Sequence, residues 1–335
     1  MAISHAQVWQ QATVVETTPV AERIRRIILA PDEPERARAG EHVDILVGPE
    51  GNQDIRSYSV VETSESGDRL TLSVLHTTDS RGGSEWMHSL VPGDRITMTQ
   101  PLQDFPLRIG APRYVLLAGG IGVTALIGMA KVLERLRADV RFVYAGRTRG
   151  AMAYLDTLRE RHGDQLEVHV DDEGTSLDVA QLIAETDATT ELYMCGPIRL
   201  MDAVRRAWIA ADRPISNLRY ETFGNSGWFD PEEFELTVPD LGISTTVRKN
   251  ESLLEALERT GAAPMFDCRK GECGLCQVTV RKLNGVVDHR DIFYSERQKA
   301  IDPPAKVCAC VSRVATGSVA SPASGCRPHL VLETP

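Results

Sequence analysis

The stretch DCRKGECGLCQVTV sets Cys268, Cys273 and Cys276 in one loop, with four and then two residues between them, and Cys308 and Cys310 follow far downstream. Thiolates in this arrangement are metal ligands, and the spacing is that of a plant-type [2Fe-2S] cluster. A tight loop has to aim three sulfurs at one small centre. Gly271 and Gly274 supply backbone angles that other residues avoid and let amides face sulfur, while Arg269 and Lys270 add positive charge beside an anionic group. A zinc site is the competing reading, but zinc motifs usually join two close-spaced ligand pairs, whereas three of these cysteines share a loop. Six of the seven cysteines lie beyond residue 267, which favours a metal centre over disulfides. The fourth ligand stays open between Cys308 and Cys310, and Cys195 and Cys326 read as ordinary buried thiols.

Two other sets of residues bear on chemistry. The string RSYSV ends one apolar segment, and GGS opens a predicted helix before WMHSLVPGDRI. A flavin needs a wall beside its ring, a cation for its phosphate and donors toward N5. Arg56, Tyr58 and Ser59 on one strand could supply these, and amides of the Gly82-Gly83-Ser84 turn could meet a phosphate; an ordinary barrel strand and turn is the alternative. Further on, YVLLAG runs into GGIGVTALIGMA, so that Gly119, Gly120 and Gly122 stand where a strand gives way to a helix, as an approaching dinucleotide pyrophosphate requires. This is neither the GxGxxG fingerprint nor a Walker loop, and packing glycines would look the same. A later strand ends in Cys195-Gly196-Pro197, again at a carboxyl edge, where Cys195 could touch a nicotinamide or fill core.

These loops need scaffolds. With 335 residues, 42% hydrophobic, two or three domains are expected. From Ala6 to about Thr99, ATVVE, RIRRIIL, HVDILV, RSYSVV and RLTLSVL predict a small antiparallel barrel or sandwich. From Tyr114, apolar runs alternate with helical stretches, predicting a parallel sheet with crossover helices. The helix after Thr124 sets Leu126, Met129, Ala130, Leu133 and Leu136 on one face. GNSGWFDPEE, Gly224 to Glu233, reads as a linker. FELTVPDLGISTTVRKN then predicts a hairpin, and SLLEALERTG a helix capped by Ser252 or Asn250 and stopped by Gly261. The net charge of -10 and pI near 5.4 exclude a nucleic-acid or anionic-lipid binder. MAISHAQVWQ lacks a cationic stretch before an apolar run, and no apolar run nears the roughly 20 residues of a membrane span. A soluble, cytoplasmic protein with no membrane partner is expected.

Taken in order, RSYS, GGS, GGIGVT, CGP and the cysteine loop resemble the phthalate dioxygenase reductase family of the ferredoxin reductase superfamily, over nearly the whole chain. The resemblance implies an FMN-binding antiparallel β-barrel in residues 1–108, an NAD-binding parallel α/β domain in 109–226, and a plant-type [2Fe-2S] domain of α+β β-grasp fold in 227–335. Carried over, Arg56, Tyr58 and Ser59 bind FMN, with Ser57 and His76 in the same set. Gly82, Gly83 and Ser84 meet its phosphate, and Phe223 stacks near its ring. Gly119, Gly120, Gly122, Thr124, Arg147, Cys195, Gly196 and Pro197 form the nicotinamide site. The CVSR ending selects Cys310 over Cys308. Ala125 departs from the proline many relatives carry after GxT, which loosens the helix start slightly.

The implied activity is hydride transfer from NADH to flavin, then single electrons through the cluster to a terminal oxygenase, of Rieske type or an O-demethylase, from a monomeric reductase. No side chain need act as acid or base, because the cofactors carry the chemistry. The family preference is FMN over FAD. NADH and NADPH stay open on residues: Arg147, with Arg149 near, could hold a 2′-phosphate, whereas Asp171 or Asp172 could favour plain ribose. Plant-type clusters lie near roughly -400 mV, so a less negative potential is expected here, raised by Arg269, Lys270 and amides facing sulfur. A cytochrome P450 reductase and a redox sensor are the rivals. No catalytic triad or Rieske histidine pair appears, which puts oxygen chemistry on another protein.

Overall fold

The computed structural model describes residues 7–49, 53–77, 82–223, 227–316 and 327–333. Cys326 and the first three residues of GNSGWFDPEE lie outside the described residues. Contacts divide the chain into two compact units, Met1–Gly196 with Ala207–Glu221, and Pro197–Arg206 with Thr222–Pro335.

The first unit begins with β1 (Trp9–Ala21), β2 (Ile24–Pro31), β3 (Glu41–Val47), β4 (Asp54–Ser59), β5 (Glu62–Thr63), β6 (Leu70–Leu75), helix α1 (Gly83–Ser89), β7 (Arg95–Thr99) and β8 (Leu102–Gln103). The strands form one antiparallel sheet in the order β4-β3-β7-β1-β2-β6-β5, with β8 on β3. β4 at one end approaches β6 near the other within 8 Å, so the sheet curls around its apolar face. Ile27, Leu29, Ile45, Leu70, Leu72 and Met87 are wholly buried there, each side chain contributing roughly 1.5–3 kcal/mol by leaving water.

A second sheet in this unit is parallel: β9 (Arg113–Gly119), β10 (Asp139–Gly146), β11 (Leu166–Val170), β12 (Thr190–Cys195) and β13 (Leu218–Glu221), ordered β11-β10-β9-β12-β13. The central strands β9 and β12 are buried along nearly their whole length, which is why they read as apolar runs. Strand order reverses between β9 and β12, so their carboxyl ends flank the switch point of the sheet. Helix α2 (Val123–Arg135) buries Leu126, Met129, Ala130 and Leu133. Leu136, expected on that stripe, is instead 50% exposed, because the helix has ended and residue 136 is its C-cap. The two sheets of this unit are joined by polar contacts: Ser73 Oγ with the Tyr154 hydroxyl (2.6 Å), Lys131 Nζ to Glu62 (2.7 Å) and the Glu22 amide to the Gly150 carbonyl (2.8 Å).

The remaining helices are α3 (Leu155–His162), α4 (Val179–Ala184) and α5 (Ile198–Ala210). The second unit takes the first turns of α5 with β14 (Phe234–Val238), β15 (Ile243–Val247), α6 (Leu253–Arg259), β16 (Gln277–Asn284), β17 (Val286–Asp288), α7 (Glu296–Lys299), β18 (Lys306–Cys308), β19 (Arg313–Ala315) and β20 (His329–Leu332). β14 and β15 form the predicted hairpin. β14 then pairs in parallel with β20 within a sheet ordered β15-β14-β20-β16-β18, against which α6 buries Leu253, Leu254 and Leu257. Ser252 and Glu255 make a reciprocal capping box, and Gly261 takes φ 86° at the stop. The expected linker is not a loose tether from Gly227 onward. The Trp228 amide donates to Asp288 (2.9 Å), Arg290 donates to the Phe229 carbonyl (3.1 Å), and a Cβ on Gly227 would meet Arg290 Nε at 2.3 Å. No described helix is long and apolar enough to cross a membrane.

Two glycines of one loop-helix segment have opposite tolerances. A Cβ on Gly122 would lie 2.1 Å from the Cys195 carbonyl oxygen, whereas on Gly128 it would rest 3.5 Å from Ala39 Cα, an ordinary contact. Gly122→Ala is expected to cost about 1–3 kcal/mol or more through overpacking. Gly128→Ala should be neutral or stabilise by up to about 1 kcal/mol, since alanine is the better helix former. Urea unfolding of both variants checks the pair.

Candidate functional site

The cysteine loop is shaped as its glycines require. Gly271 and Gly274 take φ of 77° and 72°, and a Cβ on Gly274 would strike the Phe293 ring at 2.3 Å. The loop turns the amides of Lys270, Glu272 and Cys273 onto Cys268 Sγ at 3.4, 3.5 and 3.5 Å. The Cys310 thiol is a neighbour of both Cys268 and Cys276, and Cys308 of Cys276. These neighbouring thiols are the main reason that Cys268 and Cys276 sit below the ordinary thiol pKa, with backbone bonds assisting and burial opposing. Cys310 and Cys308 are pushed up, first by donating to those neighbours and then by burial. Burial raises Cys273. Several thiols gathered in one loop, with backbone amides turned onto sulfur, are what an iron–sulfide core needs from a protein, so the donor set fits a cluster. Arg269, expected to place charge beside it, is turned to Glu258 (2.7 Å) and lies 4.1 Å over the Phe266 ring.

Two acids that sequence reasoning missed pin this loop. Glu272 is pushed up by burial and accepts from the Thr222 amide (3.1 Å) and hydroxyl (2.6 Å). Asp291, wholly buried, accepts from the Tyr294 amide (2.9 Å), and the neighbouring Ile292 amide donates to the Gly271 carbonyl (3.1 Å). A carboxylate between two cysteines, in GEC, was the available signal for the first.

On β4, strand alternation puts Asp54, Arg56 and Tyr58 on one face and Ser57 and Ser59 on the other. Arg56 reaches the start of α1: a Cβ on Gly83 would lie 3.0 Å from Arg56 Cγ, and Gly82 caps the helix with φ 88°. The expected RSYS and GGS segments are thus brought together. Arg56 Nη2 is buried without a hydrogen-bond partner among the described residues, an orphaned cationic donor that suits a flavin phosphate. Tyr58 packs on the core of the curled antiparallel sheet, and burial raises its phenol above the usual value, the Arg56 charge opposing. Ser57 is directed elsewhere, its hydroxyl donating to Asp44 at 2.6 Å. Ser84 is tied to Thr77 (3.2 Å). Ser59 donates to Glu221 at 3.3 Å. Glu221, 5% exposed at the end of β13, is a third missed acid, hidden in YETF. Phe223, at the start of the second unit, is half-buried.

The nucleotide segments also meet. β9 and β12 pair in parallel up to Ala118 and Cys195, a 3-10 turn spans Gly120–Gly122, and the missing side chain of Gly122 admits the Cys195 carbonyl. Gly119 still lies in the strand, and Gly120 takes φ 54°. The Cys195 side chain is fully buried. Thr124 gives its hydroxyl to the Ile121 carbonyl (2.9 Å), bracing the start of α2. Pro197 accepts from the Leu200 amide (3.0 Å) as α5 begins. Arg147 is exposed, and its carbonyl accepts from the Asp172 amide (3.0 Å). Arg149 is gripped by Glu173 through Nε (2.7 Å) and Nη2, so a phosphate there would have to displace a carboxylate.

The rings of His76 and of His88 on α1 lie with centroids 5.2 Å apart and tilted by 59°, and His88 Nε2 donates to the Val74 carbonyl at 2.8 Å. Burial chiefly holds the His88 pKa below its usual 6.5, while the carbonyl bond opposes and the charges of His76, Arg25 and Arg23 add. As pH falls below about 6.5 the unfolded chain protonates this group first, so its contribution to stability is present above that pH and lost through the depressed folded value. The urea midpoint should fall between pH 7.5 and 5.5, and less steeply in His88→Gln.

Residues 236–315 match the family model described as the 2Fe-2S iron-sulfur cluster binding domain. Vanillate O-demethylase oxidoreductase of Pseudomonas putida is 32% identical across 83% of this chain and 88% of its own. Among solved structures, an intact type IV self-sufficient cytochrome P450 monooxygenase is 32% identical with TM-score 0.64 over 97% of this chain, which spans only 41% of that longer protein. Phthalate dioxygenase reductase, described as a modular structure for electron transfer from pyridine nucleotides to [2Fe-2S], is 26% identical with TM-score 0.70 and is covered end to end, 97% of this chain and 98% of that one. With the same succession of antiparallel sheet, parallel α/β sheet and cysteine-loop domain, the chain belongs to the phthalate dioxygenase reductase family.

Proposed function

We propose that the chain is an NADH-dependent reductase holding FMN and a [2Fe-2S] cluster, which supplies single electrons to a terminal oxygenase of Rieske type or an O-demethylase. The observation that carries this is the gathering of the Cys268, Cys276 and Cys310 thiols, with three amides on Cys268. When bound, the flavin takes a hydride and the cluster one electron at a time, and the cofactors supply the redox chemistry. The chain's part is placement. Residues 1–108 would hold FMN, with Arg56 on the phosphate and Tyr58 and Ser59 by the ring. Residues 109–226 would hold NADH over Gly120 and Gly122, and residues 227–335 the cluster on Cys268, Cys273, Cys276 and Cys310. The clasp of Glu173 on Arg149, beside Asp171 and Asp172, opposes a 2′-phosphate and supports NADH. With Arg269 paired to Glu258, a raised cluster potential would rest on Lys270 and the amides at Cys268. A cytoplasmic monomer completes this reading. Supply to a cytochrome P450 is the second reading, favoured by the likeness to part of a self-sufficient P450 chain.

Anaerobic mixing of the full chain with NADH should bleach the flavin and then raise the reduced cluster's paramagnetic signal, with NADPH much slower; a cluster that stays oxidised overturns the reading. Cys310→Ser should lose the cluster, measured as iron and sulfide per chain. Cys308→Ser, which removes a thiol neighbouring Cys276, should retain it.

A further inference from the structure

Arg56 is divided between two duties. Its Nη1 donates to Asp54 Oδ2 at 2.5 Å and to the Ile55 carbonyl at 2.8 Å, while Nη2 is buried with no partner among the described residues. A buried cationic donor left unpaired is costly, so the guanidinium is held in an orientation that only an added acceptor would satisfy. What holds it is Asp54. That carboxylate is itself fixed, its Oδ1 accepting from the Ile55 amide at 2.8 Å, and it shares a strand face with Arg56 two residues on. The Arg56 stem is walled by Gly83, where a Cβ would come within 3.2 Å of Nε, so the side chain pivots little and the choice lies in which edge of the guanidinium turns outward. Asp54 is 46% exposed and Arg56 19%, so the acid is the more solvent-facing member of the pair.

We infer that Asp54 is a positioning residue for the flavin's terminal phosphate: it occupies Nη1 of Arg56 and thereby presents Nη2 to the phosphate oxygen. The inference rests on the flavin reading of this strand. It also carries a sign that simple charge counting reverses. On charge alone, removing an acid beside a phosphate site would tighten binding. If geometry governs, removing the acceptor frees the guanidinium to rotate and weakens binding, and an uncharged acceptor of the same shape restores it.

The test is titration of FMN and of riboflavin, which lacks the phosphate, into full-length protein stripped of flavin with its cluster retained, followed by quenching of flavin fluorescence. The measured quantity is the preference for FMN over riboflavin in wild type, Asp54→Ala, Asp54→Asn and Arg56→Ala. Riboflavin affinity reports that each variant keeps a folded ring site. The expected result is a preference lost with Arg56→Ala, reduced about tenfold in Asp54→Ala, and returned to within about threefold of wild type in Asp54→Asn. A preference that Arg56→Ala abolishes but Asp54→Ala leaves unchanged or increases overturns the positioning role and leaves the flavin reading standing. An asparagine variant as weak as the alanine one overturns it too, by showing that charge matters and geometry does not. A wild type that binds riboflavin as tightly as FMN, or neither, overturns the flavin reading of Arg56 and the inference with it.

Discussion

Sulfur that must bear negative charge inside a protein sets the terms for the second unit. A buried thiolate is tolerated only where donors meet it, and beyond the neighbouring thiols few side chains can reach such a centre without crowding it. Backbone amides are the remaining source, and a loop can aim several at one sulfur only by adopting left-handed angles at intervals. Everything around the loop follows from keeping that unusual path in place. Phe293 fills the space that Gly274 leaves, the Ile292 amide holds the Gly271 carbonyl, and Glu272 is lashed to Thr222. The parallel pairing of β14 with β20 and the packing of α6 supply the rigid floor.

In the first unit the governing constraint is close approach. The carboxyl ends of β9 and β12 can lie side by side, with a turn crossing over them, only if one residue of that turn has no side chain. The curled sheet contributes a different kind of site, a strand face on which an acid, a cation and an aromatic ring stand in series. Ser59 and Glu221 join the two sheets by a hydrogen bond between buried groups.

Much of this was legible in the residues. The strands could be read because period-two and continuous apolar runs differ visibly. The cysteine loop could be read because its spacing has few other uses, and Gly261 and Ser252 because caps are chemically specific. What stayed hidden were relations between distant residues. Nothing in YETF says that Glu221 meets Ser59, nothing in DDEG says that Glu173 takes Arg149 away from a ligand, and nothing in DHRD announces that Asp288 anchors Trp228. Arg269 is a like case: nothing in DCRKGEC says that its side chain pairs with Glu258. Leu136 obeyed helical periodicity on a helix that had already stopped.

The missing side chain of Gly122 bears on how such chains diverge. Mutation tests every position, and most of α2 offers it alternatives, since an apolar stripe accepts many apolar residues of similar volume. At Gly122 even the smallest addition meets main-chain oxygen, which cannot be exchanged for a smaller atom by any substitution at Cys195. No compensating change elsewhere in the side chains relieves the clash, so the position is closed to drift. Among distant descendants whose cofactor preferences and partners have parted, a glycine three residues past the end of the first parallel strand would outlast most of the residues that touch ligand, marking descent rather than specificity.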